Sequence, residues 1–300
     1  MFVITGATGH IGSRAAEILL DKGARVRAVS RTAAHLQPLV KRGAEPAVGD
    51  LRDVDFLTRT FRGADGVFAM IPPDYAASNF RAFQNEVGGS IAEAIHAAGV
   101  DQVVNLSSQG AELETGTGPI LGLRDQEERL DELVGVGVVH LRPGYFMENL
   151  LMNIPVINQL GFAGSALRGD LKIAMIATRD IGARVAELLE QDDTYGKRVE
   201  DMLGQRDISL DEVTIILGRS IDKPQLQYVQ LPYHAAEKGM ISMGIGSDAA
   251  RRFIEMSRAF NEGRIAAGRP RTPQNTTPTS IEQFAEVFAA AYAASHGQAA

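Results

Sequence analysis

Three glycines, Gly6, Gly9 and Gly12, are spaced three residues apart directly after a short apolar run at the start of the chain. A strand that turns tightly into a helix favours residues without side chains, and so does a backbone that approaches a ligand closely. The unpaired N–H groups and the dipole at the start of a helix favour an anion such as pyrophosphate. The spacing therefore predicts a phosphate-binding turn between a strand and a helix.

The elements around this turn support the prediction. The sequence indicates a strand over Phe2–Thr5, a helix over Ile11–Lys22 that Gly23 ends, and a second strand over Arg25–Ser30. Similar β-rich and helical runs alternate up to Leu141, a pattern typical of βαβ units with right-handed crossovers. We therefore predict an α/β fold with a Rossmann-type, doubly wound parallel sheet and a smaller C-terminal substrate-binding region.

The sequence also predicts four local features of the later chain. A helix is predicted over Gln126–Val134, and an apolar helical segment, broken near Pro155, over Met147–Leu160. Asp180 is predicted to cap the start of a helix over Ile181–Glu190. Ser280-Ile281-Glu282-Gln283 fits a capping box at the start of the last helix.

Composition excludes several classes of function. The 300 residues carry a net charge of −7, which disfavours non-specific electrostatic binding to nucleic acid, because such binding needs a basic surface that displaces counterions. The chain has no cysteine, which removes disulfides, iron–sulfur clusters and thiol nucleophiles, and its histidines show no metal-ligand spacing. No stretch has the length and apolarity of a signal or membrane-spanning segment. We expect a cytoplasmic protein that binds no metal, nucleic acid or membrane, with a homodimer as the default assembly.

The glycine turn reads TGATGHIG and resembles the TGxxGxxG of the short-chain dehydrogenase/reductase superfamily. Further segments fit in order along nearly the whole chain, and together they resemble the atypical, NmrA-like branch of that superfamily. They are Gly49-Asp50-Leu51, Val104–Ser108 (VNLSS), Leu141–Asn149 (LRPGYFMEN), Thr178–Ile181 (TRDI) and Gly268–Thr272 (GRPRT). The resemblance implies an NAD(P)-binding Rossmann domain over residues 1–150. A smaller substrate-binding or cap region over 151–300 would be partly interleaved with it.

The end of the second strand distinguishes the two nicotinamide cofactors. Proteins that bind NAD place an acidic residue there to hold the ribose 2′-hydroxyl. This segment reads Val29-Ser30-Arg31-Thr32, without a carboxylate, and Arg31 can pair with a 2′-phosphate. The alternative for Arg31 is a solvated surface arginine. The sequence favours NADPH (NADP) over NADH.

The resemblance also implies which other residues hold the cofactor. Asp50 and Leu51 would lie near the adenine, and His10 near the phosphates or the nicotinamide. The full predicted set is Gly6, Thr8, Gly9, His10, Ile11, Gly12, Arg31, Asp50, Leu51, Met70, Ile71, Pro72, Ser107, Pro143, Tyr145 and Phe146. Simpler interpretations stay open, because Met70 and Ile71 also fit a core and Pro143-Gly144 also fits a plain turn.

Catalytic residues are harder to assign. Classical members of the superfamily use a Tyr-x-x-x-Lys pair, and no tyrosine of this chain has a lysine four residues on. Three candidates remain: Tyr145 as a proton donor or stacking group, Ser107 as a carbonyl contact or loop cap, and Arg124 as a substrate-orienting cation or solvated residue. Arg124 is the only cation in the segment where related reductases carry a lysine.

Hydride transfer to a quinone-, azo- or flavin-like aromatic acceptor needs mainly an aligned acceptor, because the cofactor carries the difficult chemistry. The apolar segment Phe146–Leu160 suits such a flat ring, although it also fits a core helix. We therefore predict an NADPH-binding oxidoreductase of this kind. The alternative is a non-catalytic NmrA-type redox sensor that acts through a protein partner. Epimerase or dehydratase chemistry on a nucleotide sugar is less favoured, since it uses the missing Tyr-Lys pair.

Overall fold

A computed structural model describes residues 1–191 and 196–297 of the chain. In this part of the chain the strands are β1 (Phe2–Ile4), β2 (Val26–Ser30), β3 (Glu45–Val48), β4 (Gly66–Ala69), β5 (Gln102–Leu106), β6 (Gly137–Pro143), β7 (Tyr145–Phe146), β8 (Ala163–Ser165), β9 (Lys172–Ile176), β10 (Lys197–Met202), β11 (Asp207–Ser209) and β12 (Tyr228–Gln230). The helices are α1 (His10–Asp21), α2 (Ala33–Val40), α3 (Val54–Phe61), α4 (Phe80–Ala98), α5 (Ile120–Asp131), α6 (Asn153–Leu160), α7 (Thr178–Leu189), α8 (Leu210–Ser220), α9 (Tyr233–Ser242), α10 (Ser247–Asn261) and α11 (Ile281–Gly297).

The largest sheet of the described chain has seven strands in the order β10-β6-β5-β4-β1-β2-β3. Every neighbouring pair in it is parallel. The chain runs outward from β1 through β2 and β3, then returns to the other side of β1 for β4. Open α/β sheets bind ligands at the carboxyl ends of strands beside such a reversal. The predicted Rossmann-type doubly wound sheet is confirmed.

Helices cover both faces of this sheet, so its central strands are apolar on both sides. Val104 of β5 packs in a buried cluster with side chains of α1 and α7, while Val103 packs in another with side chains of α3 and α4. α1 and α7 approach each other closely, since a Cβ on Gly182 would lie 2.8 Å from the carbonyl oxygen of Ile11. The glycine turn before α1 is thereby supported by two closely packed helices.

A second core lies in the C-terminal half of the chain. It joins a 3₁₀ helix (Met147–Met152) to α6, α8, α10 and α11, with fully buried Phe288 among its largest side chains. The apolar segment predicted over Met147–Leu160 contributes Met147, Leu150, Ile154 and Ile157 to this core. These four side chains therefore form core rather than the wall of a cleft.

Residues beyond 150 also complete the large sheet. β10 pairs with β6 along six residues, and α7, which precedes it, packs against α1. The sequence did not predict β10, whose KRVEDM has four charged residues and lacks the alternating apolar pattern of a strand. It also missed α9, where Gly239 interrupts the helical pattern.

The predicted bounds of α5 are wrong. α5 begins at Ile120 and ends at Asp131, whereas a helix over Gln126–Val134 was predicted; Val134 lies beyond the helix and is 94% exposed. The start of this helix lacks a sequence signal, because Pro119 at the N-cap offers no side-chain cap and Gly122 lies in the first turn.

Asp180 is not the N-cap of α7. That helix starts at Thr178, and Asp180 lies in its first turn, where its carboxylate accepts hydrogen bonds from the backbone N (3.0 Å) and Oγ1 (2.7 Å) of Thr279. The predicted capping box at Ser280 is confirmed, because Ser280 and Gln283 exchange side-chain-to-backbone bonds of 3.0 and 3.2 Å. None of the described helices combines the length and apolarity needed to cross a membrane.

Candidate cofactor and active site

The glycine turn between β1 and α1 has little space for added side chains. Gly6 has φ +61°, which favours glycine, and a Cβ there would lie 2.6 Å from Sδ of Met70. A Cβ on Gly12 would lie 2.4 Å from the Gly6 carbonyl oxygen, so α1 packs directly on the turn. The backbone amide of Gly9 donates to the same carbonyl over 3.0 Å.

The start of α1 is open to an anion. Gly9 occupies the N-cap without a side-chain cap among the described residues, and the first turn contains no acidic residue. Thr8, Gly9 and His10 are exposed, whereas the Ile11 side chain is buried in the core. Uncapped helix N–H groups beside a glycine cradle fit the pyrophosphate of a dinucleotide.

Thr5 links the turn to the neighbouring strand. Its buried Oγ1 donates to the Phe68 carbonyl over 2.9 Å and accepts from the Met70 backbone N over 3.0 Å. This pair of bonds fixes Met70 beside Gly6. Sequence reasoning missed Thr5, although a hydroxyl residue at the end of an apolar strand was a usable signal.

The carboxyl ends of β2 and β3 place three charges together. Arg31 is exposed and makes no hydrogen bond or ion pair within the described ranges. The Asp50 carboxylate accepts from Nε (3.1 Å) and Nη2 (2.7 Å) of Arg52. These bonds are the main cause that lowers the pKa of Asp50 to about 2, and the charge of Arg31 also contributes. Leu51, between the two paired residues, is buried.

Ser107 lies at the opposite end of the site, beside the end of β6. Its backbone N donates to the Leu141 carbonyl over 2.8 Å, and Gln109 N donates to the Pro143 carbonyl over 3.1 Å. Ser107 is 3% exposed, and its hydroxyl has no hydrogen-bond partner in the part of the chain that the structure describes. A buried unpaired hydroxyl costs about 1–3 kcal/mol, so a ligand group that pairs with it would be favoured.

Tyr145 and Phe146 follow Pro143 as the short strand β7, which pairs with β9. Both are half-buried; Tyr145 packs against the C-terminal core, and Phe146 and Met70 pack at the edge of the cluster that contains α1. Burial raises the pKa of Tyr145 well above its ordinary value. Its hydroxyl is therefore a neutral hydrogen-bond donor at physiological pH and not a phenolate base. Ile71 is buried in the core and Pro72 is half-buried beside it.

Arg124 is engaged elsewhere. Its guanidinium donates to the Glu112 carbonyl over 3.1 Å and lies 2.7 Å from a carboxylate oxygen of Glu128. These contacts hold the loop after β5 against α5. They favour a positioning role, and the predicted catalytic role of Arg124 stays a prediction.

Comparison with known proteins agrees with the sheet and the turn, which together define a Rossmann-type fold of the NAD(P)-binding class. The chain belongs to the NmrA-like family, whose model matches residues 1–285. It is 29% identical to an NAD(P)H azoreductase of Xenophilus azovorans, over all of both chains.

Two solved structures share the fold. An NADPH-dependent quinone oxidoreductase from Escherichia coli superposes with a TM-score of 0.77 at 22% identity, covering 96% of this chain and 99% of that one. A Citrobacter sp. triphenylmethane reductase complexed with NADP(H) superposes with a TM-score of 0.79 at 17% identity, covering 96% and 100%.

Proposed function

We propose that this protein is an NADPH-dependent reductase that passes hydride directly to a flat aromatic acceptor of the quinone, azo or flavin type. The observation that carries the proposal is the combination of an uncapped glycine turn with Arg31 at the end of β2, an arginine without an ion-pair partner among the described residues. One fits a pyrophosphate and the other fits a 2′-phosphate. The azoreductase relative supports the same cofactor class.

The residues at the carboxyl edge of the sheet divide the work of holding the cofactor. The backbone of Gly6–Gly12 would hold the pyrophosphate, Arg31 the 2′-phosphate, and Asp50 the adenine end. Ser107 and Pro143, joined by the β5–β6 contacts, would border the nicotinamide. When bound there, NADPH supplies the hydride.

Half-buried apolar side chains near the ends of β4, β5 and β6 suit an aromatic acceptor. They are Met70, Pro72, Leu106, Tyr145 and Phe146. Flat apolar groups with few polar contacts are the usual lining of small-molecule sites. Tyr145 would orient a carbonyl oxygen or azo nitrogen by donating a hydrogen bond, while the balancing proton comes from solvent.

The test is binding followed by turnover. Calorimetry of the full chain with NADPH and NADH should show tighter binding of NADPH. Stopped-flow oxidation of bound NADPH should then respond to a panel of quinones, azo dyes and flavins. Equal affinity for the two cofactors would contradict the NADPH preference. Tight NADPH binding without turnover of any acceptor class would contradict the reductase and favour a non-catalytic regulator.

Tyr145→Phe tests the proposed orienting group. Losing one neutral hydrogen bond to the acceptor should lower kcat/KM by about threefold to tenfold. NADPH affinity should change less than kcat/KM. A pH profile of the wild-type rate with no Tyr145 ionisation is expected across the physiological range, because burial raises the pKa of this phenol. An unchanged kcat/KM in the variant would remove Tyr145 from the acceptor site.

A further inference from the structure

The corner between β2 and β3 brings an arginine and an acid to one place. Ser30 and Val48 are register partners, and the Gly49 backbone N donates to the Ser30 carbonyl over 3.1 Å. Arg31 directly follows Ser30, and Asp50 directly follows Gly49. Arg31, which can pair with a 2′-phosphate, and Asp50, which would repel one, therefore lie at the same corner.

Arg52 occupies most of the hydrogen-bonding capacity of the Asp50 carboxylate. Its guanidinium binds both carboxylate oxygens, and its backbone N donates to Oδ1 over 2.9 Å. The Arg52 backbone is itself held, because its carbonyl accepts a hydrogen bond of 3.1 Å from Ser90 of α4. Bidentate arginine–carboxylate pairs fix orientation as well as charge.

Without this ion pair, Asp50 would face a nearby guanidinium, Arg31, that has no partner in the described chain. Pairing between them would occupy Arg31, and the carboxylate would oppose a bound phosphate. We propose that Arg52 sets the preference for NADPH over NADH as a positioning residue, by holding Asp50 away from Arg31 and from the 2′-phosphate. This inference rests on the proposed binding of NADPH.

The experiment is a double-mutant cycle on the full-length protein with Arg52→Gln, Asp50→Asn and the double variant. Calorimetry would measure the affinity of each for 2′,5′-ADP and 5′-AMP, and for NADPH and NADH. Arg52→Gln should lower the affinity for 2′,5′-ADP and NADPH by about tenfold or more. The reason is that a released Asp50 would occupy Arg31, and the charge-assisted pair between Arg31 and the 2′-phosphate would be lost. The affinities for 5′-AMP and NADH should change much less. In the Asp50→Asn background, Arg52→Gln should have little further effect.

Several results would overturn the inference. An equal loss for ligands with and without the 2′-phosphate would indicate general damage to the adenine site. A selective loss that persists in the Asp50→Asn background would mean that Arg52 binds the phosphate itself. No loss at all would remove Arg52 from cofactor selection.

A matched control comes from the C-terminal half. Arg168 binds both oxygens of Asp170 at the same two-residue spacing, over 3.0 and 2.6 Å, and lies outside the β2–β3 corner. Arg168→Gln should leave all four affinities unchanged. The readout is binding alone, so a wild-type protein that prefers 2′,5′-ADP but reduces no acceptor would contradict the proposed reductase without touching the inference. A wild type with no preference for the 2′-phosphate would overturn both.

Discussion

Two helices on opposite sides of the large sheet, α1 and α5, pack on it through different kinds of contact. On the cofactor side, α1 packs on the strands through small and apolar residues, namely Ile11, Gly12, Ala15, Ala16 and Leu19. On the other side, α5 packs on β5 and β6 largely through a polar seam, which we define as Asn105, Glu127, Asp131, His140 and Arg142. The α1 contact depends on close fit, whereas the α5 contact also depends on matched hydrogen bonds.

The polar seam contains two sets of hydrogen bonds. His140, 1% exposed in the middle of β6, lies 3.0 Å from Asn105 Nδ2 through Nδ1 and 3.0 Å from Asp131 Oδ1 through Nε2. Arg142 binds both oxygens of Glu127 over 2.9 and 2.6 Å. Buried polar groups are costly when a partner is lost, so substitutions at the buried residues of the seam should have a large effect. At the α1 contact, stability should instead be lowered by substitutions that add side-chain volume.

The largest effect is expected from breaking the buried ion pair. Arg142→Met leaves the Glu127 carboxylate buried without its partner and should destabilise the protein by about 3–5 kcal/mol in urea unfolding. The double variant Arg142→Met/Glu127→Leu should recover much of this loss, because the unpaired Glu127 carboxylate is removed as well. A double variant as unstable as the single one would mean that the seam contributes by shape and not by charge.

On the cofactor side, Gly12→Ala should cost about 1–3 kcal/mol, since the new methyl group would overlap the Gly6 carbonyl. NADPH affinity should fall with it, because the turn must shift. The control is Gly89→Ala in α4, where an added Cβ meets nothing within 4 Å. That substitution should stabilise the protein by about 0.5–1 kcal/mol through helix propensity. A Gly12 variant with wild-type stability and affinity would contradict a tightly fitted turn.

A smaller effect is expected at Asp201, the register partner of Arg142 on β10. Burial raises the pKa of this carboxyl group above its ordinary value, against the attraction of Arg142. The folded state therefore holds the proton more tightly than the unfolded state, and stability falls as pH rises from the ordinary pKa through the raised one. Asp201→Asn should have a higher urea midpoint than the wild type at neutral pH. Its advantage should disappear in acid, where both states are protonated; an advantage that persists in acid would point to packing.

The smallest effect concerns Asp50. Its pKa of about 2 lies below the ordinary value of 3.8, so its contribution to stability is present above 3.8 and is lost as pH falls through about 2. Arg52→Gln should move the Asp50 titration, followed by NMR, up toward the ordinary value. The loss of stability at neutral pH should be no more than about 1 kcal/mol, because the pair is exposed. An unshifted titration would show that Arg52 does not hold this carboxylate in solution.

The same contrast explains what could be predicted from sequence. The turn at Gly6, Gly9 and Gly12 is local, and apolar periodicity located α1, so both were predicted within a residue or two. The start of α5 was missed because Pro119 at its N-cap offers no side-chain cap and Gly122 lies in its first turn. The pairing of Asp50 with Arg52 required a backbone conformation, and the pairing of Ser107 with the end of β6 required a sheet register. Catalytic roles depend on such distant neighbours, and for that reason they remain predictions.

The return of the chain to the large sheet after residue 150 has a consequence for how such a protein can be built. β10 covers the outer edge of β6, and α7 covers one side of α1, so the cofactor half is incomplete until about residue 202 has been synthesised. A fragment that stops at residue 150 would leave a long parallel strand edge unpaired and invite aggregation. A gene segment that ends at residue 150 would therefore encode an incomplete sheet, and an exchange of the cofactor half would have to include β10.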